Sequence, residues 1–427
     1  MDMPTHQPTP LSSISSGEEC MVFYWDRNQL YTNRGPIPKE KQNKGWTTFL
    51  LDLRAPMDMY DMCKFGSFIA QALGFTANLR DVTVYLDHHR LLNINKTILN
   101  TRPMAIPDII CKTSPLKVFT LETVELQSVR MDATQLVVSE QTREAHRTAS
   151  QIFLRIASGN LSAEVSKELA AEMERTTKKY PPKQTSLRLL YRSYEDPETS
   201  TDNVAVFQNL LPFPEQGRIF IGFPTHQTTG FYGHVAGRFI PTVLRENLDL
   251  VIECLRDWNL DLLSIAGSLS RMMYEDEITQ ICNIYNKGLI SYRRSDGAED
   301  KNTARIREEL EGRSLHALKT FQPHASSPEK PVGEHIENYF FKKPTKGISV
   351  LSSHGVKELS KVRIPDPTMS AFLENLPVLP TSVYSGSQEF MEKLEKAGNV
   401  QRISFGDVLR ELKSRVLTTT QMVALLR

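Results

Sequence analysis

The longest regular pattern in the chain covers residues 246–288. There Leu248, Val251, Ile252, Leu255, Trp258, Leu262, Leu263 and Leu269 recur at spacings near 3.6 residues. This periodicity predicts one long helix with an apolar face, most simply a core element. Glu246 and Asp249 in its first turn suit the positive end of a helix dipole. What comes before it is strand-like. MVFYW (21–25), TTFLLDLR (47–54), DVTVYL (81–86), KVFTLETVEL and MDATQLVV (within 117–138), LRLLYRSY (187–194), RIFIGFP (218–224) and GHVAGRFIPTV (233–243) alternate or cluster β-forming residues. A shorter helix is expected within 57–77. A turn at 87–89 leads into a further apolar run. Ser158, Gly159 and Asn160 predict a tight hairpin turn inside 150–166. KELAAEMERTTKKY reads as a helix stopped by Pro181 and Pro182.

These signals predict an α+β fold: a first small sheet, a mixed sheet with a long packed helix, and a small helical C-terminal module. Residues 1–19, rich in Pro, Ser and Thr, are expected to be a disordered leader. Residues 20–115 form a first module, 116–290 a central α+β domain, 291–335 a linker or mobile loop, and 336–427 a small C-terminal α/β module. Within the last, alternating runs near 348–364 precede helices at 387–397, 404–415 and 418–426, the third opened by a capping box on Thr418 and Gln421.

Composition narrows the function classes. The 427 residues carry 51 basic and 50 acidic side chains, a formal net charge of +1. No whole-chain field exists to draw in nucleic acid or an anionic membrane. No run reaches about 18 apolar residues, the length a spanning helix needs, and the N-terminus lacks a signal-peptide pattern. Five cysteines, none in a C-x-x-C spacing, argue against a disulfide framework or a zinc site and for a reducing, cytoplasmic location.

The segment GRIFIGFPTHQTTGFYGHVAGRFIPTVLRENLDLV (217–251) resembles the middle part of fungal sacsin-like proteins, in which an ATPase module of the GHKL type precedes a long fungal-specific region. WTTFLLDLRAPM (46–57), FGSFIAQALGFTANLRDVTVYLDHHRLL (65–92), AEVSKELAAEMERTTKKYPPK (163–183) and VQRISFGDVLRELKSRVLTTTQMVALLR (400–427) resemble the same proteins, in the same order. The resemblance implies that the first sheet is the remnant of a GHKL-type sheet. It places Thr47 at the position of a threonine beside the adenine in the related ninety-kilodalton heat-shock chaperones, with Trp46 where those have glycine. It also makes Arg245, ahead of Arg238, the candidate for an arginine that reaches the γ-phosphate.

The upstream elements of that ATP site do not precede Thr47. No D-x-G-x-G occurs, and the two E-x-x-x-N spacings, Glu334 with Asn338 and Glu395 with Asn399, lie far downstream. There is no G-x-x-x-x-G-K-[ST], H-E-x-x-H or G-x-S-x-G. Gly230, Gly233 and Gly237 read as a glycine-rich turn between strands rather than a phosphate loop. Asp87, His88 and His89 could meet a metal only in a turn, and His226 with His234 lacks a nucleophile. The expectation is a truncated, non-catalytic protein without cofactor or metal, acting on a protein partner: a client or a full-length ATPase relative. Two alternatives stand beside it: a subunit that completes a split ATPase in trans, and a gene remnant with no function.

Overall fold

In the computed structural model the chain divides into two compact units, Met1–Asp61 and Met62–Arg427. The structure describes the backbone of residues 12–16, 19–26, 29–36 and 47–51. It further describes residues 61–86, 88–138, 145–194, 204–211, 216–288, 301–342, 347–416, 418, 419 and 421.

Among its described residues the N-terminal unit contains four strands: β1 (Ser12–Ser16), β2 (Glu19–Asp26), β3 (Gln29–Pro36) and β4 (Thr47–Leu51). They form one antiparallel sheet in the order β3-β2-β1-β4. The leader expected over 1–19 is therefore corrected at residues 12–16. Its Ser-Ser-Ile-Ser-Ser run finds a ladder on both sides, β2 and β4, and the pairing outweighs its polar composition.

The second unit is α+β. Helix α1 (Met62–Phe75) leads into β5 (Asp81–Leu86), β6 (His89–Met104), β7 (Phe119–Val138) and β8 (Ala145–Ala163). Helix α2 (Lys167–Thr177) follows, then β9 (Gln184–Arg192), β10 (Arg218–Phe220), β11 (Pro224–Thr228) and β12 (His234–Gly237). Next come the long α3 (Glu253–Gly288), α4 (Lys301–Thr320) and α5 (Lys330–Phe341). The C-terminal module has β13 (Ser349–Ser352), β14 (Gly355–Glu358), β15 (Arg363–Ile364), α6 (Thr381–Gly386), α7 (Gln388–Lys396), β16 (Gln401–Arg402) and α8 (Phe405–Ser414). Eight strands make one mixed sheet, β11-β10-β12-β9-β8-β7-β6-β5, in which only β10 and β12 run parallel. The boundary expected near residue 115 thus falls within a single sheet.

Strands β7 and β8, 20 and 19 residues long, are too long for one layer to cover. They bury opposite faces at their two ends. Leu121, Val124 and Leu126 of β7, with Ala157 and Leu161 of β8, pack under α3. Further along, Val129, Met131 and Ala133, with Ile152, Leu154 and Ile156, pack under α1. Because successive residues of a strand face opposite ways, both sets are served by one alternating pattern.

Four expectations change for physical reasons. The hairpin at residues 158–160 is absent: β8 runs straight through. Gly159 is there for room, since a Cβ would sit 2.7 Å from Cδ1 of Leu121. The two stretches expected within 117–138 are one strand. The linker expected over 291–335 contains α4 and the first half of α5. Its charges are the solvent side of α4, while Leu310, Ala317, Leu318 and Phe321 recur on a buried side. The helix expected from Glu246 begins at Glu253. Leu248 bridges back to Pro241, and Asn259 clamps the preceding loop, accepting from Ile240 N and donating to the carbonyls of Ile240 and Asp249.

In the C-terminal module Phe372, Val378, Ile403 and Val408 form a small separate core. The capping pair at Thr418 is present: Gln421 N donates to Thr418 Oγ1 at 3.3 Å, and Thr418 N to Gln421 Oε1 at 3.1 Å. The helix expected at 418–426 otherwise lies outside the described residues.

Candidate functional site

Two regions of the second unit depart from simple core-and-surface packing. The first is a cleft between the sheet and α3. Its floor is a cross-strand row, Asn100–Ser128–Arg155, contributed in register by β6, β7 and β8, and the row continues on β9 to the fully buried Tyr191. A bulge builds it. Ahead of the register shift between Ile98 and Asn100, the even-numbered Leu92 and Ile94 of β6 face α1. The extra residue, Leu99, reverses the parity, so Asn100 and Arg102 face α3 instead.

From above, α3 lowers Asp276, Glu277 and Gln280 onto this row. Arg155, whose side chain is buried, approaches Glu277 Oε1 through Nε at 3.3 Å, and Tyr191 OH donates to the same oxygen at 3.0 Å. Arg102 holds both oxygens of Asp276 through Nη2 at 2.6 Å, and Gln280 Nε2 donates to Asp276 at 2.8 Å. Burial pushes the Glu277 carboxyl up, against the pull of Arg155 and Tyr191. Burial and then the charge of Glu277 push the Tyr191 phenol well up. The cleft above the row has a volume of about 600 Å³, within the range of small-ligand pockets. A buried ion pair contributes little net stability, so one kept at the bottom of an open cleft marks a candidate site.

The second region is the loop between β12 and α3. Its frame is rigid: Thr242 N donates to Asn247 O, Arg245 N to Thr242 O and Asp249 N to Ile240 O, all at 2.8 to 3.0 Å. At the tip of this frame Val243 is 98% exposed and Leu244 78%; Val251, 89% exposed, lies beyond the frame, just ahead of α3. Arg245 is exposed at the same tip, with φ +59°.

The sequence candidates distribute as follows. Thr47 opens β4 in the N-terminal unit, whereas Arg245 belongs to the second unit. His234 is buried, accepting from Arg218 N at Nδ1 (2.9 Å) and donating from Nε2 to Leu210 O (3.0 Å). Burial holds it down at about 4. His226 is exposed, so the two histidines do not form a pair. Gly230 and Gly233 lie in the turn between β11 and β12. Gly230 has φ +80°, and a Cβ there would lie 2.9 Å from the α-carbon of Gly333 on α5, so the glycines serve backbone packing. His88 and His89 are exposed, Asp87 lies outside the described residues, and no described group of three or more His, Cys, Asp or Glu side chains could hold a metal. Glu395 pairs with Arg402.

One further trio has the residue types of a hydrolytic triad, Asp261, Ser264 and His335. Ser264 Oγ meets His335 Nε2 at 2.7 Å. Ser264 is fully buried, however, and Asp261 is occupied by Ser114 Oγ, Leu116 N and Val118 N. The trio fastens α3 to α5 and to the loop before β7. The residues of the cleft were not found from sequence. The available signal was a charge inside an apolar run: Arg155 within IFLRIA, and Glu275, Asp276 and Glu277 in the middle of the long helix.

A family model described as a protein of unknown function, DUF3684, matches residues 138–427. This is more than half of the chain, and the protein belongs to that family. No curated protein and no solved structure matches it. No described helix is long and apolar enough to cross a membrane.

Proposed function

We propose that this member of the family acts by binding another protein rather than by chemistry of its own, as the descendant of a sacsin-like ATPase. The observation that carries the reading is the apolar tip. Val243 and Leu244 are held in water by a hydrogen-bonded frame, and apolar side chains fixed outward in this way are an anchor looking for a pocket. A flexible loop could fold them away; this one is clamped by Asn259.

Arg245 on the same tip favours a second reading, in which the chain completes a split ATPase in trans. A guanidinium exposed beside an apolar anchor is placed to enter a partner's nucleotide site once the anchor has docked. Both readings are tested by placing a photo-crosslinking residue at position 244, or at the exposed Tyr180 as control, in cells that make the protein. A discrete adduct from position 244 alone is expected. Equal labelling from both positions, or none, would sink the interaction reading. If the adduct depends on Mg-ATP and is lost in Arg245→Ala, the split-ATPase reading holds; indifference to both removes it.

A further inference from the structure

The cleft has a second property that its charged floor does not explain. Strand β6 is 16 residues long, but β5 pairs with it only from His89 to Asn95. The last main-chain contact on that side is Lys96 N to Arg80 O at 2.6 Å. Over residues 97–102, β6 has β7 on one side and no paired strand on the other among the described residues. Leu99, Asn100 and Thr101 are exposed there. A row of strand-edge N–H and C=O groups is satisfied most completely by another extended main chain. Pro103, which has no N–H to offer, limits the open row to about six residues.

Leu99, Asn100 and Arg102 of this open stretch also line the cleft, and Thr279 and Asn283 on the flank of α3 line it too. A trench between a strand edge and a helix fits an extended peptide better than a globular ligand. Its polar groups specify the charge. Arg102 engages Asp276 through one nitrogen and remains 40% exposed. Asp276 is already taken by Arg102 and Gln280. Asn100 and Ser128 make no side-chain hydrogen bond to another described residue. The trench therefore presents the exposed guanidinium of Arg102, with the amide of Asn100 and the hydroxyl of Ser128, beside a carboxylate already engaged, and the bulge at Leu99 is what turns Asn100 and Arg102 to this face.

We propose that the trench between residues 97–102 of β6 and α3 binds an extended, acidic peptide segment of a partner protein. The segment adds as a strand to β6 and sets a carboxylate side chain against Arg102. This surface lies apart from the apolar tip, and the proposal stands whether or not the tip binds anything.

The test uses the full chain and a displayed library of random octapeptides. Selection is expected to enrich β-branched sequences with one aspartate or glutamate at a fixed place. A synthetic selected peptide should lose about tenfold or more in affinity when that acid is made an amide, and again on Arg102→Gln, the size of one charged hydrogen bond. The two losses should not add. N-methylation at alternate amides should abolish binding, and at the intervening ones should not. An unchanged melting temperature verifies that Arg102→Gln folds. Three outcomes would overturn the proposal. The first is no enrichment beyond that seen on the Arg102→Gln chain. The second is free glutamate competing as well as the peptide, which would make the trench a small-carboxylate site. The third is an edge-to-edge dimer in sedimentation that the peptide does not disperse, which would make the occupant a second copy.

Discussion

Lys96 and Arg155 are both cations buried in the same sheet, 4% and 5% exposed, on opposite faces and in opposite surroundings. Lys96 donates to the carbonyl oxygens of Leu73, Gly74 and Thr76, at 2.9, 3.3 and 2.8 Å, at the end of α1. Those are the groups a helix C-terminus leaves without partners, and they carry its negative end. Arg188 donates to Phe75 O beside them. Burial, with Arg188 and Arg80 nearby, pushes the Lys96 ammonium down to about 8. Arg155 instead meets the Glu277 carboxylate at 3.3 Å and the Gln280 amide oxygen at 3.4 Å. The comparison separates two uses of a buried charge. Under α1 the charge is consumed by peptide dipoles and closes a helix; under α3 it is paired and left beneath a cleft.

The largest effect is expected where the pairing can be broken. Glu277→Ala leaves Arg155 buried without its carboxylate and should cost about 3–5 kcal/mol in urea unfolding, most of it recovered in the double variant Arg155→Met, Glu277→Leu. A cost below about 1 kcal/mol would mean that solvent reaches the pair, and the contrast with Lys96 would collapse.

Acid should next weaken the α1 side. His234 packs there against Phe75 and Phe220, with both ring nitrogens engaged. Its folded value of about 4 lies below the ordinary 6.5. The unfolded chain takes up the proton first, so this stability is full above pH 6.5 and is lost as pH falls towards 4. The loss amounts to about 3 kcal/mol. His316, which burial also holds down at about 4, adds to the slope in the same window. Unfolding curves between pH 7 and 4 should therefore become shallower in His234→Gln by its share of about 3 kcal/mol; a slope unchanged in the variant would assign all of it elsewhere.

A smaller cost, about 2 kcal/mol, is expected for Lys96→Met, which keeps the stem and removes the donor from the end of α1. Hydrogen exchange should then quicken in the last turn of α1 more than in β7. Uniform quickening would show that Lys96 matters to the whole sheet and not to the helix end.

Much of the architecture was legible in the sequence because it is written locally. Period-two runs gave β5, β9 and the cores of β7 and β8, and the 3.6 period gave α3. The helix-stop signal at the end of α2 also held, with Lys178 in the left-handed conformation ahead of the prolines. Failures came where a local signal has two meanings. Gly159 could turn a hairpin or make room under Leu121, and only the neighbouring strand decides. The charges of α4 could mark a linker or the wet side of a helix, and the four buried residues that settle it are sparse.

The cleft was illegible for a different reason. Asn100, Ser128, Arg155 and Tyr191 come from four strands and meet because of register, and that register depends on one extra residue at position 99. The sequence by itself determined the α+β class, the long helix and the alternation that fills both faces of the sheet, because propensity and periodicity act over a few residues. Tertiary structure alone decided which charges are buried together and where β6 is left open, because those follow from pairing between segments up to 174 residues apart, as Arg102 and Asp276 are.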